Sequence, residues 1–183
     1  MFDTNAPAVF YNGTEPLTGH RVWLRRTLID PSTPGYRFRP FVMALHNPSI
    51  AGAVKNDPTA TRGISFAVAQ GATDLIFVNA IDLIATKMDE VPADTPAEAL
   101  TCPWSDWALQ EAARLALDNN GWLVAAWGAP KGRAAIARHI AARYQRIKEL
   151  GLPWSVLRLT ASGYPEHPLY LPSHLIPIRW EYQ

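Results

Sequence analysis

The apolar residues of this chain fall into short unbroken runs rather than one repeating stripe. FVMAL (41–45), DLIFVNAI (74–81), WLVAAWG (122–128) and WSVLRLT (154–160) are each about a strand long, and runs without polar alternation mark strands covered on both faces. Between them the spacing changes. DPTATRGISFAVAQG (57–71) reads as a helix, with Asp57 placed to cap the free amides, Pro58 suited to the first turn and Gly71 to close the end. PWSDWALQEAARLALDNNG (103–121) reads as a second helix that stops at Asn120 and Gly121, and KGRAAIARHIAARYQRIKELG (131–151) as a third. Upstream, HRVWLRRTLI (20–29) and YRFRPFVMALH (36–46) are strand-like, and the turn-rich linker DPSTPG could join them as a hairpin. Residues 85–102 form a long Pro-containing connection, and the tail LIPIRWEYQ fits no single element.

Apolar strands alternating with helices imply right-handed crossovers. The expected class is therefore α/β: a three-layer sandwich with a central, mainly parallel four-stranded sheet, plus an N-terminal hairpin or edge strands. A length of 183 residues suits a single domain spanning 1–183. Hydrophobic residues make up 48% and charged residues 18%, which excludes a disordered chain. No apolar run approaches the ~20 residues that span a bilayer, and the opening MFDTNAPAVFYNG lacks a basic segment followed by an apolar one, so a cytoplasmic location is expected. The single cysteine, Cys102, excludes a disulfide or a four-cysteine metal site within one chain. A net charge of +1 leaves any contact with nucleic acid to local basic patches.

In parallel sheets of this kind, ligands bind beyond the carboxyl ends of the strands. Those ends carry HNPSIAG, VNAID and AWGAP, and the fourth strand runs on to SGYPEHPLYLPS. One crevice should thus gather Asn47, Asn79, Trp127, Gly128 and His167, with Phe66 close by. His167 sits among Gly163, Pro165, Pro168 and Pro172, and both Asn47 and His167 precede proline, which biases their backbone toward extended geometry. Such framing aims a side chain. Taken singly, each residue also has an ordinary reading: Asn47 as a turn residue, Asn79 as a buried amide, His167 as a loop histidine and Asp57 as no more than a helix cap.

No other motif competes for the site. GAPKGR (128–133) lacks the spacing of a nucleotide-triphosphate loop, although a helix start with Lys131 and Arg133 could hold one phosphate. His46, His139 and His174 have no partner at metal-ligand spacing, so no metal or other cofactor is expected. The helix from Lys131 carries Ile136, Ile140, Tyr144 and Ile147 as a buried stripe and six basic residues elsewhere, a solvated basic surface or a minority site for phosphate contact.

In chain order these motifs resemble the uracil-DNA glycosylase superfamily. HNPSIAG is similar to its water-holding motif, with Asn47, Pro48 and Ser49; RGISFAV resembles the segment whose Phe stacks on an extruded base, which implies Phe66. IFVNAIDL resembles the strand whose Asn reads a pyrimidine edge, implying Asn79, and VAAWGAPKG resembles the Trp-Gly strand. HPLYLPS is similar to the second motif, which implies that His167 contacts the departing base and Leu171 enters the duplex. A closer overall resemblance is to the domain of unknown function family 1643, a bacterial and phage family, through the Asn-Pro-Ser, Asp-Pro-Thr, Trp-Gly and His-Pro-Leu-Tyr elements. The first resemblance implies a hydrolase that flips a deaminated or modified base out of DNA and cleaves its N-glycosidic bond, with Asn47 and His167 catalytic. Asp57, a carboxylate close to the strand ends, is a third catalytic candidate, and Lys131 and Arg133 are candidates for phosphate contact. Two alternatives stay open: a module that recognises a modified base without cleaving it, and a hydrolase of free nucleosides or nucleotides.

Overall fold

The computed structural model describes residues 2–11, 19–49 and 55–182. Its strands are β1 (Ala8–Tyr11), β2 (His20–Thr27), β3 (Pro40–Leu45), β4 (Asp74–Asn79), β5 (Trp122–Ala125), β6 (Ser155–Val156) and β7 (Ile178–Arg179). Its helices are α1 (Pro58–Ala69), α2 (Ser105–Asp118) and α3 (Ala134–Glu149). All seven strands form one sheet in the order β1-β2-β4-β3-β5-β6-β7. Pairing is parallel for β4 with β3, β3 with β5 and β5 with β6, and antiparallel for β1 with β2, β2 with β4 and β6 with β7. The class is α/β, but the sheet is a mixed one of seven strands, not a mainly parallel four-stranded core with a hairpin or edge strands added at the N-terminal side.

The expected hairpin between residues 20–29 and 36–46 does not form, because β4 lies between β2 and β3. Burial explains the order. Every residue of β3 is buried, so it takes the centre with a parallel partner on each side, whereas β2 carries Arg25 and Arg26. Arg25 binds the buried Asp74 carboxylate at 2.8–2.9 Å and ties β2 to the start of β4. The antiparallel edge pair is instead β1 with β2. The expected fourth strand, 154–160, shortens to β6 because Arg158 leaves the sheet for a two-bond pairing with Glu166.

Side chains alternate cleanly across the central strands. Phe41, Met43, Leu75, Phe77 and Val124 pack toward Phe66 and Ala67 of α1. Val42, Ala44, Ile76, Val78 and Ala125 pack on the other face with Leu109 of α2 and Ile136, Ile140, Tyr144 and Ile147 of α3. Helices therefore cover both faces, and the period of two sends neighbouring residues to opposite layers. Gly63 lets α1 lie tight on the sheet, since a Cβ there would fall 2.5 Å from the Phe77 ring. This seat fixes where α1 begins, and so where Asp57 stands. No helix among the described residues is long and apolar enough to cross a membrane.

Candidate active site

Beyond the end of β3 the chain continues as His46, Asn47, Pro48 and Ser49, held in place by Ala80 N–H donating to Leu45 O and Ile81 N–H donating to His46 O at 2.8–2.9 Å. This segment forms one wall of a cavity of about 330 Å³. Asp57, Thr59 and Ala60 at the start of α1 form a second wall, and Ala85 to Asp89, with a 3-10 turn at Met88–Glu90, form a third. Arg21 and Leu24 of β2, Leu45, Phe77, Lys131 and His167 complete the lining. Residues from seven separate stretches thus converge at the carboxyl ends of the parallel strands.

Asn47 is clamped. Its Nδ2 donates to Ala85 O at 2.6 Å and to Pro48 O at 2.9 Å, so the amide orientation is set and Oδ1 is the remaining functional atom. Asp57 both caps and lines: its Oδ1 accepts from Ala60 N–H at 2.7 Å, as the Asp-Pro start of the helix predicts, while the residue stands on the cavity wall. Replacing it with alanine should cost about 1 kcal/mol of stability from the cap alone. A loss near zero in denaturant melts would show that the helix end is held by something else.

His167 precedes the short turn Pro168–Tyr170, and its Nδ1 accepts from Leu169 N–H at 3.4 Å. The proton of the neutral ring therefore lies on Nε2. Burial and the nearby Lys131 hold its pKa down at about 4, against a weaker opposing pull from Asp57. At neutral pH it is an uncharged hydrogen-bond donor. Gly128, with a φ of 73°, runs beside it: a Cβ there would come within 3.7 Å of the His167 Cβ, and Gly128 N–H binds Pro165 O at 2.7 Å.

His46 is the second histidine of the cavity. It is only 5% exposed, and its Nδ1 meets the Tyr144 hydroxyl at 2.5 Å. Burial, then Lys131 and His167, bring its pKa down from 6.5 to about 4. The sign follows from linkage. A histidine held neutral by the fold contributes stability in full above 6.5, its ordinary value, and loses it as pH falls toward 4, because the unfolded chain takes up the proton first. For His46 the loss is roughly 3 kcal/mol at ~1.4 kcal/mol per tenfold. Urea midpoints at pH 7.5 and 4.5 should therefore converge in His46→Gln relative to wild type; an equal acid-induced fall in both would remove His46 as the cause.

The remaining expected residues lie elsewhere. Phe66 is fully buried in the α1 layer, and the phenyl ring on the cavity wall is Phe77. Leu171 is also fully buried, its carbonyl accepting from the Arg62 guanidinium. Neither can stack on an extruded base or enter a duplex from this position. Trp127 packs among Tyr144, Trp154 and Trp180 in the core. Asn79 is 4% exposed and off the cavity wall; its Nδ2 donates to Arg21 O at 3.4 Å. Pro48 is buried, Ser49 lines the cavity, and Arg133 is exposed at the start of α3, outside the lining. Asp82 is occupied by His20 at 2.8 Å and by Ser105, which leaves it no part in the cavity. Among the described residues, no group of three His, Cys, Asp or Glu side chains is placed to hold a metal ion.

Fold and site together define an α/β protein with a mixed-polarity cavity at the ends of its parallel strands. The chain belongs to the family described as "Protein of unknown function (DUF1643)", whose model matches residues 21–169 and so takes in Arg21, His46, Asn47, Asp57, Lys131 and His167. No curated protein and no solved structure matches the chain at a significant level.

Proposed function

We propose that this cavity takes a nucleobase still attached to its sugar, and that the protein is an N-glycosidic hydrolase of the DNA glycosylase kind. The observation that carries the reading is His167, a neutral ring with Nδ1 occupied and Nε2–H left to donate, on the same wall system as Asn47 and Asp57. When the bond between base and sugar breaks, its electron pair leaves with the base and a cation develops on the sugar. A donor fixed on a base oxygen stabilises that leaving anion. Asn47 Oδ1 accepts a hydrogen from water and orients it toward the sugar carbon, and the uncapped oxygen of Asp57 is the group able to take the proton. The parallel run β4-β3-β5-β6, with helices on both faces, supports the resemblance to uracil-DNA glycosylases. Lys131, on the rim, suits a phosphate.

One observation favours a second reading, recognition without cleavage. The amide of Asn47 cannot accept a proton as a carboxylate would, and Asp57 spends one oxygen on its cap. A single-turnover assay separates the two, with protein in excess over single- and double-stranded oligonucleotides carrying uracil, mismatched thymine or hypoxanthine. Alkali-labile sites that require both Asn47 and His167 are the expected result. Binding without such sites would favour recognition, and neither would end both readings.

A further inference from the structure

His46 is the one cavity-lining side chain among the described residues that is more than nine-tenths buried and keeps a ring nitrogen, Nε2, without a hydrogen-bond partner. An unmade bond at a buried polar atom is costly, so a group that would complete it is expected in the functioning molecule. The geometry also says what kind of group. The Tyr144 oxygen lies 2.5 Å from His46 Nδ1 and 3.3 Å from Trp127 O, and a phenol has one proton. Trp127 O is a carbonyl and can only accept. Both contacts are hydrogen bonds only if His46 Nδ1–H donates to Tyr144 and Tyr144 O–H donates to Trp127 O. Burial raises the Tyr144 pKa, which keeps its proton in place. That chain leaves Nε2 as a bare lone pair on a residue of the cavity lining, with Lys131 and His167 as the nearby charged or titratable groups.

We propose that His46 Nε2 is the acceptor for a ring N–H of the bound base, and that, with His167 as donor, it selects bases in the oxo form, in which an N–H stands next to a carbonyl. The assignment rests on the proposed nucleobase site. Tyr144 serves as a positioning residue, since it sets which nitrogen of His46 carries the proton.

Histidine-selective isotope labelling of the full chain, read by NMR, tests this with free uracil and hypoxanthine as probes. His46 is expected to be protonated on Nδ1 in the free protein, and uracil is expected to shift its Nε2 signal. Uracil methylated at both ring nitrogens should bind at least about tenfold more weakly, the loss of one hydrogen bond to a buried group. Tyr144→Phe should shift the resting tautomer toward Nε2–H and erode the preference for unmethylated uracil. His46→Phe should abolish that preference; if the variant does not fold, the methylated probe still decides. A resting Nε2–H tautomer, equal binding of the two uracils, or no response of His46 to either probe overturns the inference. The hydrolase reading fails separately: oligonucleotides left intact while N–H-dependent binding persists would sink it alone, and base release unchanged in His46→Phe would sink only this assignment.

Discussion

On the proposed function, replacing His167 with alanine should lower single-turnover release of the base by about two to four orders of magnitude, the range seen when a positioned donor or proton-transfer group is removed. The ring is half-buried and its local bond is the single contact with Leu169 N–H, so the fold should survive the truncation. His167→Gln, which keeps a donor, should recover part of the rate. The pH profile carries independent information. With its pKa at about 4, His167 stays neutral from physiological pH down through 6.5, so no rate change should track the ordinary histidine range. Lys131 lowers this pKa, so Lys131→Met should move any acid limb upward; Asp57 raises it, so Asp57→Asn should move the limb down. Rates within about threefold of wild type in His167→Ala would reduce the residue to an anchor of its own loop.

Much of this site is legible in the sequence because it depends on strand ends rather than on tertiary detail. Asn47 and His167 meet because their strands run parallel, and unbroken apolar runs announce parallel strands. Asp57 is legible as a cap because Asp-Pro ahead of a helical spacing has a local cause. What linear resemblance could not settle is facing. Ala60, Gly63, Phe66 and Ala67 share the buried side of α1, a spacing of three and four that sends Phe66 to the core, away from the cavity. Likewise Val42 and Ala44 share one face of β3, and continuing the alternation places His46 toward Tyr144 of α3, beside Asn47 at the cavity. Tested only for metal-ligand spacing, His46 looks idle. Arg21 joins the site because β2 pairs antiparallel with β4, a pairing that crosses 53 to 47 residues and has no local signal. The short strands β1 and β7 are equally silent, since two to four residues give no periodicity to read.

Phe66→Ala and Leu171→Ala should act as stability variants, not as losses of base contact. Each side chain is fully buried in the layer between α1 and the sheet, where removing it deletes transfer energy and leaves a void. The expected costs are about 3–5 kcal/mol for Phe66 and 2–5 kcal/mol for Leu171. Against a typical total of roughly 5–15 kcal/mol, either change should shift the urea midpoint severely. Leu171 is also held through its backbone, because Arg62 of α1 donates to its carbonyl and joins the His167 turn to the helix that starts at Asp57. For Leu171 to enter a duplex, that bond and its packing would both have to break. Its neighbour Tyr170, 88% exposed, is free of that constraint, so Tyr170→Ala should leave stability within about 0.5 kcal/mol. Uracil affinity per folded molecule should be unchanged in both core variants. The opposite pattern, near-native stability with lost affinity, would mean that Phe66 and Leu171 leave the core to meet the ligand, and that the cavity described for the free protein is not the one that binds.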